Sequence, residues 1–224
     1  MKKDMLGFVT VSPKEQIRFK CVGCGACCRN VHLSVPVETL DAFRIARHLR
    51  ERDTTIQSID DFWARYCEPA LLDECGYFVY FLKTRGDDNA CVFLEDNRCT
   101  IHSVNPRACR TYPFTVDPET RQYLLTRERE HHFKGPPVKA KTWMKQRLSE
   151  EDHAFIQLDF ESTPPLGVLL KTIAERERHR AVMLFQYYKY SDFDLDQPFL
   201  EQYRRNIEKL THALGGLINN EKEV

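Results

Sequence analysis

All nine cysteines lie between Cys21 and Cys109, and residues 110–224 contain none. Cys21, Cys24, Cys27 and Cys28 form one cluster, Cys91, Cys99 and Cys109 a second, with Cys67 and Cys75 between them. A chain of 224 residues can bury a sizeable core without covalent staples. An odd thiol count also fits a pure disulfide framework badly. The N-terminal stretch MKKDMLGFVTVSPKEQ has no apolar run of the export-signal kind, which predicts the reducing cytosol, where stable disulfides are rare. Metal is therefore the leading explanation for the thiols.

Composition narrows the alternatives. Hydrophobic residues make up 42% and charged residues 29%, so a wholly disordered chain is excluded. Lys+Arg and Asp+Glu are 33 each, and this balance argues against a broad basic face for nucleic acid. No apolar run approaches the roughly 18 residues that span a bilayer. Neither nucleic acid nor membrane is expected as a partner. Dinucleotide and phosphate-loop glycine fingerprints, HExxH and GxSxG are all absent.

The pattern predicts an α+β fold, mostly α. A metal-stabilised N-terminal half of loops and short hairpins, residues 1–135, precedes a helical half, residues 136–224, the two packed as one compact unit. Val37, Leu40, Phe43, Ile45 and Leu49 mark an amphipathic helix to about Arg52. Ser58 with Asp61 three residues on is a capping box opening a second helix, which Glu68-Pro69 should end. GYFVYFLKT, residues 76–84, reads as a strand. CVFLEDNRCTIH reads as a hairpin turning at Asp96-Asn97, with Cys91 and Cys99 at its open end. VNPRACRTYPF gives a short Pro-started helix stopped by Pro113, and TVDPETRQYLLT a hairpin turning at Asp117-Pro118. Helices are predicted over 141–160 and, after Thr163-Pro164-Pro165, over 166–190. In the last helix Leu200, Tyr203, Ile207, Leu210, Leu214 and Leu217 form a seam that packs on the same chain or pairs with a protein partner.

C21-x2-C24-x2-C27 carries the strongest chemical signal, because two-residue gaps let successive thiolates converge on one metal or cluster. Gly23 and Gly25 supply the positive φ angles such a wrapped loop needs. The spacing begins the ferredoxin run that holds cubane iron–sulfur clusters, but Cys28 follows directly and no Cys-Pro occurs. A fourth ligand would come from Cys109 or Cys91, and softness allows either zinc or an iron–sulfur cluster. Adjacent Cys27 and Cys28 side chains tend to diverge, so they could serve two ions. Cys91, Cys99, His102 and Cys109 form a possible second site, with His102 a ligand, a hydrogen-bonding support or a packed edge residue. Cys67 and Cys75 read as buried small apolar residues. Arg29, Arg107 and Arg110 stand beside cluster cysteines, where guanidinium groups would screen thiolate charge. Tyr112, Pro113 and Phe114 are expected as an apolar lid; His131-His132 and His153 read as solvated.

FKCVGCGACC followed by CVFLEDNRCTIHSVNPRACRTYPF resembles the bacterial and archaeal CxxCxxCC cysteine-cluster family, the YkgJ-like zinc/iron-chelating domain, over about residues 18–116. Cys99, Ile101, His102, Pro106, Cys109, Arg110, Tyr112, Pro113 and Phe114 fill its second motif, with His102 where a Tyr is frequent. The resemblance implies Cys21, Cys24, Cys27, Cys28, Cys91, Cys99 and Cys109 as the metal-associated set. It implies a ligand set and not a reaction. A related cysteine module occurs in flagellin lysine N-methylases, so an S-adenosylmethionine-dependent protein lysine methylase is one alternative activity. An adaptor with a purely structural metal is another.

Overall fold

The computed structural model describes residues 7–117, 120–126 and 133–219. Its fold is α+β and mostly helical, with only small sheets. In chain order the helices are α1 (Thr39–Arg50), α2 (Ile59–Tyr66), α3 (Arg107–Thr111), α4 (Ala140–Arg147), α5 (Glu150–Thr172), α6 (Glu175–Gln186) and α7 (Phe199–Asn219). Among the described residues, no helix is long and apolar enough to cross a membrane. The chain divides into two compact units, each drawn from two stretches: residues 1–35 with 82–149, and 36–81 with 150–224. Seven of the cysteines belong to the first unit; Cys67 and Cys75 belong to the second.

The first unit is built on short antiparallel ribbons. Phe8–Val11, Tyr123–Thr126 and Phe114–Val116 form a three-stranded sheet, and Gln16–Arg18 pairs with Pro137–Lys139. The 114–116 and 123–126 strands are the expected hairpin; Pro118 at its tip lies outside the described residues, as do His131 and His132. A core of Phe19, Phe114, Leu125, Ala140, Trp143 and Met144 fills the space between sheet and α4. Trp143 donates its indole N–H to the Thr111 carbonyl at 3.0 Å, fixing the end of α3, and Phe19 meets the Trp143 ring edge-on at 5.4 Å. Phe114 is therefore core rather than lid, and Tyr112 packs against the same cluster. Residues with no polar atom to satisfy gain more from this dry pocket than from covering a surface.

In the second unit α1 buries Leu40, Phe43 and Ile45, as their spacing predicts. Helix α2 opens with the full capping box: Asp61 N–H donates to Ser58 Oγ at 3.2 Å and Ser58 N–H to Asp61 Oδ2 at 2.9 Å. A strand, Cys67–Leu71, follows directly, ending the helix at Tyr66, three residues before Pro69. Phe78–Leu82 lies between that strand and Pro36–Val37. Trp63 stacks on Tyr80 at 4.3 Å and donates to the Tyr190 carbonyl at 2.8 Å. Ser58→Ala should cost about 1 kcal/mol in urea denaturation, the usual worth of a lost cap. The Gln57 and Ser58 N–H groups and the Ser58 hydroxyl hold the Asp61 carboxyl below the ordinary carboxylate range. That contribution is present above the carboxyl's unfolded pKa and is lost as pH falls through its lower folded value, so the cost of Ser58→Ala should shrink on acidification.

The helical C-terminal stretch corrects the expected boundaries. The breaks fall at Leu148-Ser149 and Ile173-Ala174, and α5 runs unbroken through Pro164 and Pro165. The carbonyls these prolines leave without an amide donor belong to Phe160 and Glu161, both exposed, so water can take them. Phe155, Leu166 and Leu170, all buried, anchor the helix on both sides of the prolines. After α6 a π-helical turn, Tyr187–Ser191, buries Lys189, whose Nζ meets Asp159 Oδ1 at 2.6 Å and the Tyr203 hydroxyl at 3.2 Å. The α7 seam packs on its own chain: Tyr203, Leu210, Leu214 and Leu217 are buried.

Candidate metal centre

The loop bearing the first cysteines follows directly on core residue Phe19, whose N–H donates to the Pro136 carbonyl at 3.2 Å. Gly23 and Gly25 then take φ of +66° and +72°, as the alternation of glycine and thiol predicts. Gly25 lies tightly against the second cysteine segment. A Cβ there would stand 2.8 Å from the Asn97 carbonyl oxygen and 2.9 Å from Leu94 Cδ1. Only glycine lets the loop lie against that hairpin. A single 3-10 turn, Ala26–Cys28, follows, closed by the Cys28 N–H to the Gly25 carbonyl at 3.0 Å.

The second segment differs from the expected single ribbon. Leu94–Glu95 pairs with Arg98–Cys99 around a two-residue turn in which Asp96 and Asn97 have φ of +46° and +62°. The Val92 N–H, however, bonds to the Lys83 carbonyl at 3.1 Å, and Cys91 stands opposite Thr84 on a separate ribbon. Cys91 is thus not at the open end of the Cys99 hairpin. Cys109 sits on α3, its N–H bonded to the Pro106 carbonyl at 2.9 Å.

No disulfide joins any of the nine cysteines, all of which are described. Cys21 and Cys24 are exposed, Cys27, Cys28, Cys99 and Cys109 half-buried, and Cys91 buried. The Cys27 and Cys28 sulfurs, expected to diverge, lie 3.8 Å apart. The Cys27 sulfur beside it, then burial, then the charges of Cys27, Cys109 and Cys91 push the Cys28 thiol far above its ordinary range. Burial, aided by Cys99 and Cys27, pushes Cys91 up to about 11, against the hydrogen bond from the Phe93 N–H and a smaller pull from Arg85. Cys99 is raised by burial first, then by Cys27 and Cys21. Cys27 raises all three of these thiols, beside contributions from Cys21, Cys91, Cys99 and Cys109. Among the described residues, no three Cys, His, Asp or Glu side chains converge closely enough to enclose an ion. His102 is exposed.

The donor chemistry suits a soft or borderline metal. Burial and neighbouring thiols disfavour the thiolate forms of Cys28, Cys91 and Cys99, and a bound cation would displace their protons and offset that repulsion. Cys67 and Cys75 are 3% and 5% exposed in the other unit, the environment of small apolar residues. Two features of the centre have only weak sequence signals: the docking of Gly25 on Asn97, and the bonds of Arg29 to Asp88 and to Asn97 Oδ1, the latter at 2.8 Å. The polar turns RGDDN and EDN are what could have announced them.

No curated protein and no solved structure gives a match. The family model for CxxCxxCC, described as "Putative zinc- or iron-chelating domain", matches residues 20–137, just over half of the 224-residue chain. That span contains both cysteine clusters, the docked Gly25 loop and α3, and the chain belongs to the CxxCxxCC family.

Proposed function

We propose that the protein is a metal-binding protein whose Cys21, Cys24, Cys27, Cys28, Cys91, Cys99 and Cys109 hold zinc, tying the 21–28 loop to the 91–109 segment. The Cys27–Cys28 sulfur separation of 3.8 Å carries this reading. With Zn–S bonds of about 2.3 Å, two thiolates on one tetrahedral ion stand about 3.8 Å apart. In a four-iron cubane each of four thiolates takes a different iron, which suits a vicinal pair less well. The second reading, an iron–sulfur cluster, draws on the Cys21, Cys24, Cys27 spacing and on the family's description as zinc- or iron-chelating. Either centre would work in the reducing cytosol.

Zinc titration tests the coupling of metal to folding. Zinc added to reduced, metal-free protein should raise the unfolding midpoint progressively, stabilising the fold by about 2.7 kcal/mol at a hundredfold excess over Kd. An unchanged midpoint across the titration would refute the reading.

A further inference from the structure

Arg29, directly after the vicinal pair, reaches both turns that flank Cys91. One guanidinium nitrogen contacts the Asp88 carboxylate in the 86–89 turn; the other donates to Asn97 Oδ1 at 2.8 Å in the 96–97 turn. Backbone bonds continue the junction: the Asn30 N–H donates to the Asp88 carbonyl at 2.7 Å and the Val31 N–H to the Asn89 carbonyl at 3.1 Å. A planar fork with two fixed acceptors sets direction as well as distance, which an ammonium cannot do.

We propose that Arg29 is a positioning residue that holds Cys27 and Cys28 in register with Cys91 and Cys99 before any ion arrives. The proposal rests on the thiolate-centre reading above. Its consequence is that retention of the metal depends on a contact made by no ligand. The Arg29 and Asp88 side chains are each 43% exposed, so the pair adds little to global stability; its effect is local. Screening of thiolate charge is the competing role for Arg29, and it demands only a positive charge.

Three variants of the full chain separate these roles. Arg29→Gln removes the charge and the fork, Arg29→Lys keeps the charge alone, and Asn97→Gly removes one acceptor without changing charge. Glycine at 97 also accepts φ of +62° without strain. Metal release from zinc-loaded protein into excess chelator should be about fivefold faster in Arg29→Gln, the upper range for an exposed pair. Asn97→Gly should move in the same direction, Arg29→Lys should recover only part of the loss, and zinc content at saturation should be unchanged in all three. In metal-free protein, hydrogen exchange at the Asn30 and Val31 amides should quicken in Arg29→Gln and Asn97→Gly. Unaltered release and exchange in both would overturn the proposal, as would full rescue by lysine with a silent Asn97→Gly. If the unsubstituted protein takes up no zinc, the zinc reading fails, and amide exchange alone decides whether Arg29 holds the two segments together.

Discussion

Gly25→Ala is expected to open the junction between the two cysteine segments and to cost the protein its hold on metal. The added Cβ would lie 2.8 Å from a backbone oxygen, that of Asn97, which cannot rotate aside as a side chain can. Left-handed backbone at φ of +72° adds about 1–2 kcal/mol for a residue with a Cβ. Overlap in a packed contact adds about 1–3 kcal/mol more. Gly23→Ala is the internal control: its φ is +66°, but nothing lies within 4 Å of the new Cβ. It should therefore lose only the conformational part. Urea denaturation and zinc content measured on both variants check this, with Gly25→Ala clearly the worse on both counts. Equal losses would mean that the close approach to Asn97 contributes nothing.

The second large effect separates the cysteines themselves. Cys24→Ala and Cys109→Ala should each lose metal and destabilise the unit made of residues 1–35 and 82–149. Cys67→Ala should keep full metal content, because Cys67 is buried in the other unit at 3% exposure and belongs to neither cluster. Its cost should be that of a small cavity, about 1 kcal/mol. Metal analysis beside thermal unfolding reads both quantities. Equal metal loss in all three would show that the division between ligand and core cysteines is wrong.

Local features were the most legible in the sequence. The Ser58–Asp61 capping box, α1, the strand at 78–82, the Asp96-Asn97 turn and the α7 seam each follow from a pattern a few residues long. What the pattern could not supply was which segments meet. Nothing in residues 36–81 marks them as packing with 150–224, because burial of a face does not name its partner. Pro164-Pro165 reads as a break by every local rule, yet α5 continues, since buried Leu166 and Leu170 outweigh two missing donors on an exposed face. Cys91 leaves the Cys99 hairpin because the Val92 N–H finds Lys83, a pairing that no spacing announces. For the centre itself, the cysteines and glycines were legible as types, while the Arg29 bonds to Asp88 and Asn97 depend on residues 59 and 68 positions away.

Metal analysis with an absorption spectrum, on full-length protein purified without oxygen, tests the central claim most directly. The account predicts at least one zinc per chain in a colourless protein, absent from Cys24→Ala and Cys109→Ala and retained in Cys67→Ala. About four irons with matching acid-labile sulfide would replace zinc by a cluster on the same cysteines. A protein that carries no metal and takes up neither zinc nor iron would contradict the account.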